Sequence, residues 1–110
     1  MNHAKVPLTM LNSMAGADVE ESFDRQRAWG LRLLDLKDCL FGKGVEHLTA
    51  EQAKRVRDAA ERRGLRVHTL STCLFHRDVE QGERAFRDAD MPALDNALRV
   101  AEVLAPAQVR

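Results

Sequence analysis

The sequence lacks two features that would point to particular partners. It has no net charge, since 17 lysines and arginines balance 17 aspartates and glutamates. A neutral chain has no general electrostatic attraction to nucleic acid or to an anionic membrane. No apolar run approaches the length of a membrane-spanning helix. We therefore expect neither nucleic acid nor a membrane as a partner.

Cysteine is scarce, and the N-terminus carries no recognisable export signal. The chain contains two cysteines, and its first residues form too short an apolar run after too weak a basic start for a signal peptide. Because disulfide frameworks belong to oxidising compartments, the sequence predicts a cytoplasmic protein. Cys39 and Cys73 are interpreted as small buried hydrophobic residues, in preference to a disulfide or, with His76, a zinc site.

The sequence contains an internal repeat of seventeen residues. Gly30–Glu46 reads GLRLLDLKDCLFGKGVE and Gly64–Glu80 reads GLRVHTLSTCLFHRDVE, with nine of the seventeen positions identical. In each copy a glycine follows a helical pattern and precedes a short apolar run, which is typical of a helix end followed by a buried parallel strand. The constant offset predicts that the copies are consecutive strand–helix units of one parallel α/β architecture.

Capping signals and apolar stripes place the other elements within one domain, residues 1–110. Thr49 with Gln52 forms a predicted capping box, and Asp90 with Pro92 suits a helix start. Predicted strands lie near residues 5–11, 31–37, 65–71 and 107–110, and predicted helices near 18–29, 50–63, 79–88 and 91–105. Because the last strand only begins where the chain ends, we expect the first three to four units of a (β/α)8 TIM barrel. A flavodoxin-like open sheet is the alternative.

Three segments carry a resemblance to a known family. LTMLNSM, GLRLLDLKDCLFGKGVEHLT and STCLFHRDVEQGERAF resemble the xylose isomerase-like TIM-barrel superfamily, and within it the sugar-phosphate isomerase/epimerase type. The resemblance implies a closed barrel with a divalent metal (Mn, Mg or Zn) at the C-terminal ends of its strands, and a carbohydrate as the small-molecule substrate. The family's metal ligands lie mostly on later strands, so it implies that this chain alone binds no metal.

Polar residues at the predicted strand ends are the candidate substrate contacts. Asp35 and Lys37 are two positions apart and therefore share a face, and the repeat places Thr69 and Ser71 at the matching positions. Active sites of TIM barrels lie at this end of the strands. We expect Asp35, Lys37 and Ser71 to bind substrate hydroxyls; the alternative for Asp35 and Lys37 is an ion pair that fixes the strand end.

The loops after the two strands supply weaker candidates. His76 in LFHRD is similar to the histidine of sugar isomerases and could transfer a proton, although a surface histidine is the commoner case. Lys43 could bind an anionic substrate, although loop cations are usually only solvated. Phe41 and Phe75 are predicted to anchor their loops onto the barrel mouth.

These residues lead to three functional hypotheses. The first is the N-terminal part of a divalent-metal-dependent sugar or sugar-phosphate isomerase or epimerase. The second is an apurinic-site endonuclease-like member of the same superfamily. The third is a non-catalytic half-barrel that only associates, since open sheet edges favour homo-oligomers.

Overall fold

The computed structural model describes residues 8–74 and 82–110 of the chain. It is a mixed α/β structure with a small parallel sheet. In chain order the elements are α1 (Asn12–Ala15), α2 (Val19–Ala28), β1 (Leu33–Leu36), α3 (Ala50–Arg62), β2 (Arg66–Leu70), α4 (Gly82–Ala85), α5 (Met91–Leu104) and β3 (Gln108–Val109). A 3₁₀ turn, Val45–His47, precedes α3, and a π-helical segment, Phe86–Asp90, joins α4 to α5.

Local interactions in the sequence fix where the helices begin and end. The Thr49 side chain accepts a hydrogen bond from the Gln52 amide and the Gln52 side chain accepts one from the Thr49 amide, which completes the predicted capping box of α3. Beyond α2 and α3 the chain turns at Gly30 (φ +84°) and Gly64 (φ +68°). Glycine adopts this left-handed conformation without the steric cost of a Cβ atom, so the two repeat copies open on equivalent helix stops.

The three strands are parallel and follow one another across the sheet in the order β1-β2-β3. Leu36 lies opposite Leu70, and Leu70 lies opposite Val109. On the outer side of β1, Leu11 forms a single parallel bridge with Asp35. Strand order therefore follows chain order throughout the described residues.

A hydrophobic core lies between the sheet and the helices. One apolar cluster contains side chains of α2, α3 and α5 together with Leu34 and Leu36 of β1 and Leu70 of β2. Phe23 of α2 and Val56 of α3 are fully buried within it. Because α2, α3 and α5 all contribute to this one cluster, they cover the same face of the sheet.

A charged cluster joins α2 to α3 on the surface. The Arg63 Nε donates to Asp24 Oδ1 at 2.6 Å, and the same guanidinium contacts Glu20. Arg62 Nη2 donates to the other Glu20 oxygen at 2.8 Å. The hydrogen bond from Arg63 holds the pKa of Asp24 below its ordinary value, and the hydrogen bond to Asp24 raises the pKa of Arg63.

Two predicted regions differ from the structure. Of the strand predicted near 5–11, residues 5–7 lie outside the described part; Leu11 makes only its one bridge, and α1 begins at Asn12. The break expected between helices 79–88 and 91–105 is replaced by the π-helical segment, so the chain is helical from Gly82 to Leu104. Pro92, which lacks the N–H of a regular helical hydrogen bond, lies in the first turn of α5, where that N–H is not needed.

Along residues 8–74 and 82–110, no helix has the length and apolar character needed to cross a membrane.

Candidate functional site

A row of polar side chains crosses the sheet. Asp35 of β1, Thr69 of β2 and Gln108 of β3 are partners in the strand register. Their neighbours along each strand, such as Leu34, Leu36 and Leu70, belong to the core cluster. Since side chains alternate along a strand, the polar row occupies the face opposite to the helices.

Asp35 is a buried, hydrogen-bonded member of this row. Its side chain is about 9% exposed, and its Oδ1 accepts a hydrogen bond from Ser71 Oγ at 2.6 Å. Its Oδ2 lies 3.9 Å from Arg110 Nη1. Two carboxylate oxygens provide about four acceptor positions. Asp35 therefore keeps acceptor capacity for a further donor, such as a ligand hydroxyl.

A β-bulge in β2 determines which of its side chains lie beside Asp35. Leu34 pairs with Val67 and Asp35 pairs with Thr69, so His68 has no partner on β1. The sequence pattern placed His68 opposite Leu34, but Val67 occupies that position and packs against the core. Bulges redirect side chains and are common beside functional sites.

The bulge brings His68 into the polar row. His68 Nδ1 lies 2.8 Å from Thr69 Oγ1, and Gln108 Nε2 donates to the same hydroxyl at 3.2 Å. Thr69 is buried, whereas His68 is half-buried. His68, which the repeat pattern assigned a packing role, is thus in direct contact with the residues of the candidate site.

Lys37 follows β1 and is positioned through its backbone. Its N–H donates to Asn12 Oδ1 at 2.8 Å, and its carbonyl accepts from the Val45 amide at 2.7 Å. The Lys37 ammonium makes no hydrogen bond or ion pair within the described residues, so the alternative of an ion pair with Asp35 has no counterpart there. Its role as a substrate contact stays a prediction.

Lys43, another predicted site residue, is not part of the row. The Lys43 ammonium donates to Gln52 Oε1 at 3.1 Å, at the start of α3. His76 lies outside the described residues, as does Phe75. Phe41, predicted to anchor its loop onto the barrel mouth, is instead an exposed residue (38%), with Arg55 above its ring.

Sequence reasoning missed Glu46, which links the loops that follow β1 and β2. Glu46 is 3% exposed, and its Oε2 accepts a hydrogen bond from the Cys73 amide at 2.7 Å. Its backbone carbonyl accepts from Asn96 Nδ2 of α5 at 2.7 Å. The signal was available, because Glu46 and Glu80 are among the identical positions of the repeat.

The two cysteines do not have the predicted burial. Cys39 is half-buried and Cys73 is exposed, and both are free thiols. Each follows the end of its strand, and neither belongs to the buried core cluster, so the interpretation of both as buried hydrophobic residues is wrong.

Within residues 8–74 and 82–110, no set of side chains fits a divalent metal. Across the positions that the structure describes, no three His, Cys, Asp or Glu side chains converge as a metal site requires. Asp35 Oδ1 is engaged by Ser71, and Oδ2 lies 3.9 Å from the cationic Arg110 Nη1. No step of the chemistry is therefore assigned to a metal held by these residues.

Comparison with known proteins does not place the chain in a family. No family model, no curated protein and no solved structure matches it.

Proposed function

We propose that this chain supplies part of the substrate-binding wall of a sugar or sugar-phosphate isomerase or epimerase of the TIM-barrel type. The observation that carries the proposal is the polar row at the sheet, with the buried Asp35 carboxylate held by Ser71 beside Thr69 and Gln108. A polyhydroxylated substrate needs such a set of fixed acceptors and donors.

The order of the strands supports a barrel-type unit. In a flavodoxin-like sheet the strand order reverses at a switch point and helices cover both faces. Here the order is β1-β2-β3, and α2, α3 and α5 contribute to one core on one face. This leaves the opposite face to the polar row, as in the interior of a barrel near its active site.

The metal and the remaining strands would come from outside the described residues. A barrel of this type has eight strands, and the described sheet has three. The proposal for this chain therefore concerns the binding of substrate hydroxyls by Asp35, Ser71 and Thr69, and the metal chemistry belongs to the assembled enzyme.

A direct test is an NMR titration of the isotope-labelled chain with sugars, in which amide chemical shifts report binding. The probes are an aldopentose, a ketohexose and the phosphate ester of each. We expect saturable shifts at Asp35, Thr69 and Ser71 with at least one sugar, and Asp35→Asn to weaken its binding about 10-fold or more, because hydrogen bonds to a charged group are stronger than neutral ones.

The Asp35→Asn change is chosen because its amide oxygen can still accept the hydrogen bond from Ser71, which preserves the fold. Asp95→Asn, an exposed position on α5, is the matched control and should leave binding unchanged. Absence of a saturable shift with every sugar at tens of millimolar would count against the proposal. So would equal loss in the Asp95→Asn control.

A further inference from the structure

A cavity lies on the outer surface, and none of its lining residues belongs to the polar row. It has a volume of about 380 Å³ and is formed by the start of α2, the exposed side of α3 and the loop residue Phe41. Val19 and Phe41 give it an apolar side, and charged side chains of both signs form its rim. The volume is at the lower end of the range for small-molecule sites.

The negative charges of this cavity already have partners. Its three carboxylates are those of Asp18, Glu20 and Asp58. Their partners are the Glu21 amide for Asp18 at 3.2 Å, Arg62 and Arg63 for Glu20, and Arg57 for Asp58 at 3.2 Å. Arg62, which also lines the cavity, is therefore engaged as well.

Arg55 is the charged group of the cavity that remains available. Its guanidinium carbon lies 5.0 Å from the centroid of the Phe41 ring. Within the described part of the chain it makes no ion pair or hydrogen bond. A guanidinium that stacks on an aromatic ring keeps its in-plane N–H donors free, and their fork matches the two oxygens of a carboxylate.

The backbone of Phe41 is an independent sign of a functional site. Leu40 and Lys43 exchange two backbone hydrogen bonds, of 3.1 and 3.0 Å, around a two-residue turn. Both central residues have positive φ, +54° for Phe41 and +76° for Gly42. Turns of this type strongly prefer Asn-Gly, and a bulky residue with positive φ is a true outlier. Such strained residues concentrate at ligand-binding sites.

From the unpaired Arg55, the strained Phe41 and the cavity between them, we propose that this cavity binds a small aromatic monocarboxylate. The carboxylate binds the in-plane N–H groups of Arg55, and the flat apolar body packs against Phe41 and Val19. One available cation matches one negative charge, and a phosphate dianion would leave its second charge without a partner. This site is separate from the polar row, and the proposal does not depend on sugar binding there.

The test uses benzoate as the probe and its neutral isostere benzamide as the matched ligand control. Amide and arginine side-chain chemical shifts of the whole chain report the binding. We expect saturable shifts at Phe41 and Arg55 with benzoate. Benzamide should bind at least about 10-fold more weakly than benzoate, because charge-assisted hydrogen bonds are stronger than neutral ones. Raising the salt concentration should weaken benzoate binding.

Variants then locate the site. Arg55→Gln should weaken benzoate binding about 10-fold or more, and Arg55→Lys should also weaken it because the fork is lost while the charge is kept. Arg99→Gln, an exposed position on α5, should leave binding unchanged. The proposal is overturned if benzoate gives no saturable shift, if benzamide or inorganic phosphate binds as tightly, or if Arg55→Gln binds like the parent. If Arg55→Gln fails to fold, the comparison of benzoate with benzamide on the parent chain decides.

Discussion

Asn12 offers the sharpest test of how the chain holds its first loop, through the substitution Asn12→Ala. The Asn12 side chain is fully buried. Its Nδ2 donates to the Asp38 carbonyl at 2.7 Å, and its Oδ1 accepts from the Lys37 amide at 2.8 Å. Alanine removes both hydrogen bonds and leaves a donor and an acceptor of the backbone without their partners.

The expected loss follows from these two contacts. Each intramolecular hydrogen bond contributes about 1 kcal/mol net, and leaving a buried group unpaired adds to the cost, so Asn12→Ala should lower the free energy of unfolding by about 2–3 kcal/mol. For a chain of this size each kcal/mol shifts the melting temperature by about 4 °C, so the shift should be about 8–12 °C.

Urea unfolding followed by circular dichroism measures the loss, with the slope of the transition checked for constancy. Ser13→Ala is the control, because Ser13 lies in the same short helix and its side chain makes no hydrogen bond within the described residues. It should change stability by less than about 0.5 kcal/mol. A loss below about 1 kcal/mol for Asn12→Ala would refute the assignment of Asn12 as the residue that orders the loop after β1.

Three further predictions concern single features of the fold. Thr49→Ala removes the side chain that accepts from the Gln52 amide, and should lower the free energy of unfolding by about 1 kcal/mol in urea titrations. Phe41→Asn suits a turn with positive φ at both central residues; relief of about 1 kcal/mol of backbone strain, less about 0.5 kcal/mol for the lost Arg55 contact, should raise the melting temperature slightly. Asp24 has a lowered pKa, so its stabilising effect is present above its unfolded value of 3.8 and is lost as the pH falls through the lower folded value. Asp24→Asn should therefore reduce stability at pH 7, and the difference from the parent should shrink in unfolding curves below pH 4, whereas a constant difference would contradict the contact with Arg63.

Structural features that depend on residues close together in the sequence could be predicted from it. The capping box of Thr49 and Gln52 is confirmed, and the parallel strands inferred from the repeat are present in the sheet. Both depend on contacts within a few residues or on a repeated pattern of burial. This is why α/β character could be predicted, whereas the closed barrel stays a proposal.

Contacts between distant segments could not be read in this way. The bulge at His68 depends on how β2 pairs with β1, and a shift of one residue moves Val67 to the core face and His68 beside Thr69. The hydrogen bonds of Asn12 join residues 25 and 26 positions apart. No local pattern in the sequence distinguishes this asparagine from one in a solvated loop.

The loop between β1 and α3 connects the two proposed sites without merging them. Asn12 holds its beginning, and Glu46 near its end accepts from the Cys73 amide beyond β2. Between these anchors the Leu40–Lys43 turn carries Phe41 toward Arg55, while Asp35 stays on the sheet, bound by Ser71. Because Asp35 and Phe41 share no partner, substitutions at the two positions should have additive effects on stability. A change at Asn12, which fixes Lys37 and Asp38 at the start of the loop, should instead disturb both sites at once.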